Sequence, residues 1–349
     1  MKQVTYVGLD VHKKSITAVF GPARSRPETM KVTNDPKGWN RLVDRLRTWG
    51  VQGAYEASSC GFEVYDEMTA RGWSVVVVAP SLLPKSAKEK KNKTDEKDAL
   101  ELRSRLVAHR EAGANLPIVW VPPVRVREDR ELVRRRLSLG EKMGEAKTVI
   151  LNLLQIHKAR SIGEPAWTKA FVDQLWSLCG AESRLGPPVR RALESQLREL
   201  EFLKTEAVRL EKEVEALAGE ARHQAQVKEL RKVKGVGTLT AMTFLVELGD
   251  VTRFGNRKQL GNYLGLTPSC HESGEATDRK GHITRQGPPR IRKVLNQAAW
   301  SRVRLDPEVK KDFAQLAART GSKKAIVAQM RKLGIYLWHR AMEAMKPAA

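Results

Sequence analysis

The first apolar stretch sets Val4, Tyr6, Val7, Leu9 and Val11 close together without helical spacing, and these β-prone residues predict a mostly buried strand. Ala18 to Phe20 continues it as a hairpin, and Met30 to Val32 predicts a third short strand before a turn at Asn34-Asp35-Pro36. Trp39, Leu42, Val43, Leu46 and Trp49 then recur at helical spacing. Val51 to Tyr55 reads as a strand, Phe62 to Arg71 as a helix, and the unbroken run Trp73 to Ala79 as a strand covered on both faces. Strands first, then alternating helix and strand, predict an α/β domain that closes near Trp120-Val121-Pro122-Pro123.

Acidic residues break this apolar pattern at informative places. Asp10 interrupts the first strand, where a desolvated carboxylate is costly unless it is paired or meets a cation. Its plainest partner is Lys13 or Lys14. Glu56 ends the next strand, in the small-residue stretch GAYEASSCG. Asp95 and Asp98 fall in NKTDEKDALELRSRLVAHR, where Thr94 is an N-cap candidate and Leu100, Leu102, Leu106 and Val107 supply an apolar stripe. The two acids therefore share the first turn of a helix at i and i+3. The helix dipole alone favours acids there, but it does not account for Asp10 or Glu56. Several carboxylates with no His or Cys make a hard-oxygen set suited to Mg²⁺ or Mn²⁺. Two such ions roughly 3.5–4 Å apart clamp the attacking and leaving oxygens of a phosphodiester.

Beyond Pro123 the pattern turns helical. Residues Arg127 to Lys158 form a basic helix whose densest run is RELVRRRL, either a solvated face or a phosphate contact. Leu193, Leu197, Leu200, Leu203, Ala207, Leu210, Val214, Leu217 and Ala221 step by three or four. That spacing predicts a coiled coil, whose stripe must be buried against helices of the same or another chain. Val233-Lys234-Gly235-Val236-Gly237 resembles a helix-hairpin-helix turn, whose glycines let backbone amides approach a phosphate. A loop then precedes an apolar helix over Val294 to Val303. Residues 279–293 hold six Lys or Arg and no acid, which suits phosphate handling.

Charge changes the picture more than size does. In 349 residues, 63 Lys and Arg oppose 40 Asp and Glu, a formal charge of +23 that points to a polyanionic partner. No apolar run reaches membrane-spanning length, and the N-terminus enters a strand with no signal-peptide pattern, so a cytoplasmic, nucleoid-associated protein is expected. Cys60, Cys179 and Cys270 are odd in number and form no CxxC pair, against both a disulfide framework and a zinc site.

Taken together, GLDVHK at 8–13, YEASSCGFEVY at 55–65, NKTDEKDALELR at 92–103, GVG at 235–237, and YLGLTPSCHESGE with KGHITRQGPPRIRK within 263–293 resemble the insertion-sequence one-ten family of transposases, bridge-RNA-guided recombinases of mobile elements. The resemblance implies an RNase H/RuvC-like α/β domain over 1–125, a helical coiled-coil region over 126–226 used for assembly, and a mainly helical transposase domain over 227–349 with a nucleophilic serine. Carried over by position, Asp10, Glu56, Asp95 and Asp98 are the metal ligands and Ser273 is the nucleophile. Lys234, Arg279, Lys280, Arg285, Arg290, Arg292 and Lys293 are the expected nucleic-acid contacts. The implied partners are donor and target DNA, a bridge RNA and further copies of the chain, as a dimer or tetramer. No membrane is involved.

Two positions depart from the family pattern: Ser58-Ser59-Cys60 stand before Gly61 where Ala-Thr is usual, and His271 stands where Tyr is frequent. No triad is spaced around Ser273, so activation of its hydroxyl falls to a metal held by the acids. A water-using RuvC-like nuclease in which Ser273 is structural, and a non-catalytic nucleic-acid scaffold, are the competing readings.

Overall fold

The structure is a computed structural model that describes residues 4–46, 50–83, 94–159, 167–270 and 280–345. The chain divides after Pro122 into two compact units. In the first, β1 (Val4–Val11), β2 (Ser15–Gly21) and β3 (Glu28–Thr33) form an antiparallel meander. α1 (Pro36–Arg45) follows; Asp35 caps it by accepting from the Gly38 amide at 2.8 Å, and Pro36 occupies its first turn. β4 (Gly50–Glu56), α2 (Glu63–Ala70) and β5 (Ser74–Val78) then add two parallel strands. α3 (Asp95–Ala112) precedes β6 (Ile118–Val119), which pairs antiparallel with β5. The strand order is β3-β2-β1-β4-β5-β6.

Strand alternation gives this sheet two different faces. Val7, Leu9, Val11, Ile16, Val51, Tyr55 and Val75 pack on one side with Trp39 and Leu42 of α1 and Val64 and Met68 of α2. Tyr6, Ala54 and Val78 look the other way, onto Leu102 and Leu106 of α3. The buried face of α3 is Ala99, Leu102, Arg103 and Leu106, whereas the expected stripe residue Leu100 points outward and is exposed. The difference follows from phase: 99, 102, 103 and 106 share one helix face, which position 100 leaves. Gly8 of β1 is what lets this helix come close. A Cβ there would stand 1.9 Å from the Ala99 carbonyl oxygen. Arg103, almost wholly buried, donates from Nη2 to the Gly21 carbonyl at 3.1 Å and ties the helix to the end of β2.

Among its described residues, the second unit is helical apart from one small hairpin. α4 (Val124–Ile156) and α6 (Pro187–Gly219) run antiparallel, with α5 (Lys169–Ser177) between them in sequence. Val133 and Leu137 early in α4 share a core with Val214 and Leu217 late in α6, while Ile150 and Leu154 meet Leu193 and Leu197. Arg136 and Glu211 bridge the pair at 2.6 Å. The α6 stripe from Leu193 to Leu217 is thus buried within its own chain, by α4 above all. That removes the inference from this stripe to assembly, because spacing shows that a face must be covered but not by which helix. The stripe also ends sooner than expected: α6 stops at Gly219, and Ala221 begins α7 (Ala221–Arg231).

α8 (Thr238–Leu248), α9 (Arg257–Leu264), α10 (Pro289–Leu305), α11 (Pro307–Thr320) and α12 (Ser322–Glu343) complete this unit, around a core that also takes in Val133 and Leu137 of α4. Between α9 and α10, β7 (Pro268–Cys270) pairs with β8 (Lys280–Ile283), a hairpin that the sequence pattern did not suggest. At the α7–α8 turn, Gly235 has φ +81°, and a Cβ on it would come within 2.9 Å of the Ala298 carbonyl oxygen of α10. The turn needs this glycine for packing inside the chain.

Candidate active site

Three strands lay a row of polar residues on the α3 side of the sheet. Asp10 lies opposite Thr17, and Thr17 lies opposite Lys31, so β1, β2 and β3 each contribute one. On the other flank the last bonded pair of β1 and β4 is Leu9 with Tyr55. One residue further along that register stand Asp10 and Glu56. α3 lies across this face with Ala99 over Gly8, and Asp10 is two residues beyond Gly8 on the same face. The first turn of α3 therefore reaches Asp10. Thr94 starts the helix there by accepting from the Lys97 amide at 3.3 Å.

The result is a close trio. Nε2 of His12 lies 3.1 Å from Oδ2 of Asp10 and 3.4 Å from Oδ1 of Asp95, and the ligand atoms of all three residues fall within 4.8 Å of one another. Lys31 donates from Nζ to Oδ2 of Asp95 at 3.0 Å. Glu56 and Asp98 are both half-buried, and neither belongs to the trio. Of the four expected ligands, then, the structure brings Asp10 and Asp95 together, with Asp98 near enough to act on Asp10 through its charge. The side chain beside Asp10 is the His12 imidazole, not the ammonium of Lys13 or Lys14. The expected donor set had no histidine. The available signal was its i, i+2 spacing from Asp10 in GLDVHK.

Electrostatics at the trio fit a cation. Burial pushes the Asp10 carboxyl above its ordinary range; neighbouring His12 draws it back, while the charges of Asp95 and Asp98 add to the rise. The hydrogen bond from Lys31 holds Asp95 below the usual carboxylate range. Thr17, 4% exposed and facing Asp10 across the strands, has a buried hydroxyl with no hydrogen-bond partner among the described residues. A buried hydroxyl without a partner next to a carboxylate is a place for a hydrated ion or its water. Asp10 and Asp95 thus fit a divalent metal, with Thr17 and Lys31 at its margin. Sequence reasoning missed both of these residues, because only strand register puts them beside Asp10.

The other expected site residues are distributed as follows. Ser273 and Arg279 lie outside the described residues, as does the side chain of Lys280. Lys234 is exposed on the α7–α8 turn, and Arg285 and Arg290 are exposed between β8 and the start of α10. Lys293 pairs with Glu141 at 2.7 Å. Arg292 is half-buried and donates from Nη1 to the carbonyls of Leu264, Gln286 and Gly287, so it holds the loop together.

Comparison with known proteins places the chain in a family. A DEDD-type model of IS110 transposases matches residues 7–158, the stretch that carries Asp10, His12, Glu56, Asp95 and Asp98. A second model, described as "Transposase IS116/IS110/IS902 family", matches residues 227–314. A Sinorhizobium fredii protein named "Putative transposase y4qE" is 30% identical over 315 residues, covering 88% of this chain and 73% of the relative. The chain belongs to the IS116/IS110/IS902 transposase family. The transposase for insertion sequence element IS1533 of Leptospira borgpetersenii is 23% identical over 355 residues, 99% of this chain and 98% of that one. The transposase for insertion sequence element IS1111A of Coxiella burnetii is 26% identical over 256 residues, 71% of this chain and 66% of its own length. Membership of this family implies an enzyme that cleaves and transfers DNA. Among the described residues no helix is long and apolar enough to cross a membrane.

Proposed function

We propose that this transposase cuts and joins donor and target DNA by metal-assisted phosphoryl transfer through a phosphoserine on Ser273, in an RNase H/RuvC-like frame, with a bridge RNA pairing the two DNAs. The observation that carries the reading is the convergence of Asp10 and Asp95, from a strand end and a helix start 85 residues apart, on one point at the sheet. Asp10, Glu56, Asp95 and Asp98 are the residues assigned to hold Mg²⁺ or Mn²⁺. When bound, such an ion neutralises charge on a phosphodiester and lowers the pKa of an attacking hydroxyl. In the first transfer the Ser273 oxygen bonds to phosphorus, its proton passes to a base, and a deoxyribose hydroxyl leaves. Attack on the phosphoserine by a hydroxyl of the exchanged strand frees the serine and reseals the backbone. Exposed Lys234, Arg285 and Arg290, with Arg279 and Lys280, supply phosphate contacts. The protein works as a homo-oligomer in the cytoplasm, at the nucleoid.

The test incubates protein, guide RNA and end-labelled DNA with Mg²⁺, then denatures the mixture and looks for label on the protein. Ser273→Ala should lose the adduct and Ser269→Ala should keep it. Asp10→Asn should abolish strand transfer while DNA binding stays near wild type. DNA cleavage that persists in Ser273→Ala without any adduct would instead establish a water-dependent nuclease.

A further inference from the structure

We infer that His12 is a ligand of the same divalent cation as Asp10 and Asp95, so that the site offers a mixed nitrogen and oxygen set and takes Mn²⁺ in preference to Mg²⁺. This rests on the reading of the Asp10–Asp95 site as a metal centre. The geometry comes first. Ligand atoms on neighbouring corners of an octahedron with bonds of about 2.1 Å are about 3 Å apart. Nε2 of His12 stands 3.1 Å from one carboxylate oxygen and 3.4 Å from the other, separations close to those of neighbouring corners, and all three donor atoms lie within 4.8 Å of one another.

The backbone of His12 is also fixed more firmly than an exposed turn residue needs. Its N–H donates to the Ser15 carbonyl at 2.9 Å, and its carbonyl accepts from Nδ2 of Asn34 at 2.9 Å. Asn34 is held in turn by the indole N–H of Trp39, which donates to Oδ1 at 2.9 Å from a ring only 3% exposed. The core of the domain thus fixes the backbone from which the imidazole projects. A purely structural role explains less of this. The His12 side chain is 54% exposed, and an ion pair of that kind contributes little to stability.

The choice of metal follows from the donors. Mg²⁺ takes oxygen and gives up its water reluctantly, whereas imidazole nitrogen suits first-row transition ions. A site that sets a nitrogen donor beside its carboxylates favours Mn²⁺ over Mg²⁺. To bind, the imidazole must be neutral, with Nε2 free to donate its lone pair.

The experiment needs no DNA. Metal-free full-length protein is loaded with Mn²⁺ and examined by pulsed electron paramagnetic resonance for nitrogen hyperfine coupling. Wild type should show the coupling; His12→Ala should lose it and His157→Ala should retain it. Mn²⁺ affinity should fall on the order of tenfold or more in His12→Ala, since even residues behind a ligand typically cost 10–100-fold, and the Mn²⁺-over-Mg²⁺ preference should shrink. Growing the unmutated protein on heavy-nitrogen histidine should change the coupling pattern, which tests the assignment even where the variant folds poorly. If Mn²⁺ binds in a way that Asp10→Asn abolishes but no nitrogen coupling appears, His12 is not a ligand and the metal site stands. If Mn²⁺ does not bind, or binds regardless of Asp10→Asn, the metal reading of the site fails, and the role of His12 fails with it.

Discussion

Gly8→Ala tests how closely α3 is pressed onto β1 and how much the site depends on it. The added Cβ would stand 1.9 Å from the carbonyl oxygen of Ala99 and 2.6 Å from the amide nitrogen of Arg103. Both are backbone atoms of one helix, so no rotamer change relieves the clash. Ordinary contact begins near 3.4 Å, so α3 must retreat by roughly 1.5 Å. Overpacking of this kind costs about 1–3 kcal/mol, and the tie between Arg103 and the Gly21 carbonyl resists the movement. Asp95 travels with its helix away from Asp10 and His12. A misplacement of about 1 Å at a reacting centre costs on the order of 100-fold in rate. Urea unfolding should show the destabilisation, and Mn²⁺ titration and strand transfer should show the damaged site. Gly53→Ala is the matched control: on β4, where the nearest atom to a new Cβ is a Val75 methyl at 3.4 Å, it should change little. Gly8→Ala with wild-type stability, metal affinity and activity would mean that the helix does not position the site.

Two further outcomes follow from the second unit. Leu210→Ala and Leu217→Ala remove side chains that α6 buries within its own chain, so each should cost about 2–5 kcal/mol in unfolding measurements, while light scattering of the folded protein reports an unchanged mass; a smaller species would mean that the stripe joins copies after all. Arg285→Ala and Arg290→Ala should each weaken DNA binding evenly across sequences and lower the slope of log affinity against log salt by about 0.9, as expected for the loss of one phosphate contact. Arg292→Ala should instead lower the melting temperature, because its guanidinium joins three carbonyls of the loop.

The parts of this molecule that sequence made legible are those governed by local rules. Asp10 stood out because it breaks an apolar strand, and Thr94 because a capping residue precedes two first-turn acids; both stand as read. What stayed hidden depends on pairing at a distance. Thr17 and Lys31 join Asp10 only through strand register, which no hydropathy pattern encodes. His12 escaped for a related reason: two residues past Asp10 its ring shares the Asp10 face, yet a histidine opening a Lys-rich turn reads as solvent-facing until α3 brings Asp95 over it. The α6 stripe is plain in the sequence as a buried face, but the basic run of α4 hides that this helix is its cover. Gly235 carries a packing constraint that its sequence pattern does not show. A glycine in a Gly-x-Gly turn invites a phosphate reading, and here the space it leaves is taken by α10.

The two glycines that frame the serine-bearing stretch are constrained in the same way, and this bears on the chemistry. Gly265, with φ +64°, closes α9, and a Cβ on it would lie 2.1 Å from the Gln286 carbonyl oxygen. Gly287, with φ +90°, sits so near Tyr263 that its Cβ would come within 1.8 Å of that carbonyl. The Thr284 amide donates to the Thr267 carbonyl at 2.9 Å, and the Arg285 amide donates to the Gly265 carbonyl at 3.2 Å. Backbone-to-backbone contact therefore joins the two ends of the segment that contains Ser273 at the end of α9, and Arg292 donates to the neighbouring Leu264 and Gly287 carbonyls. A nucleophile gains most from a frame that holds it near its productive position before substrate arrives. A side chain at Gly265 or Gly287 must push apart the backbones that meet there, so under the proposed Ser273 chemistry Gly265→Ala or Gly287→Ala should reduce the protein–DNA adduct more than DNA affinity, and an equal loss of both would count against that chemistry.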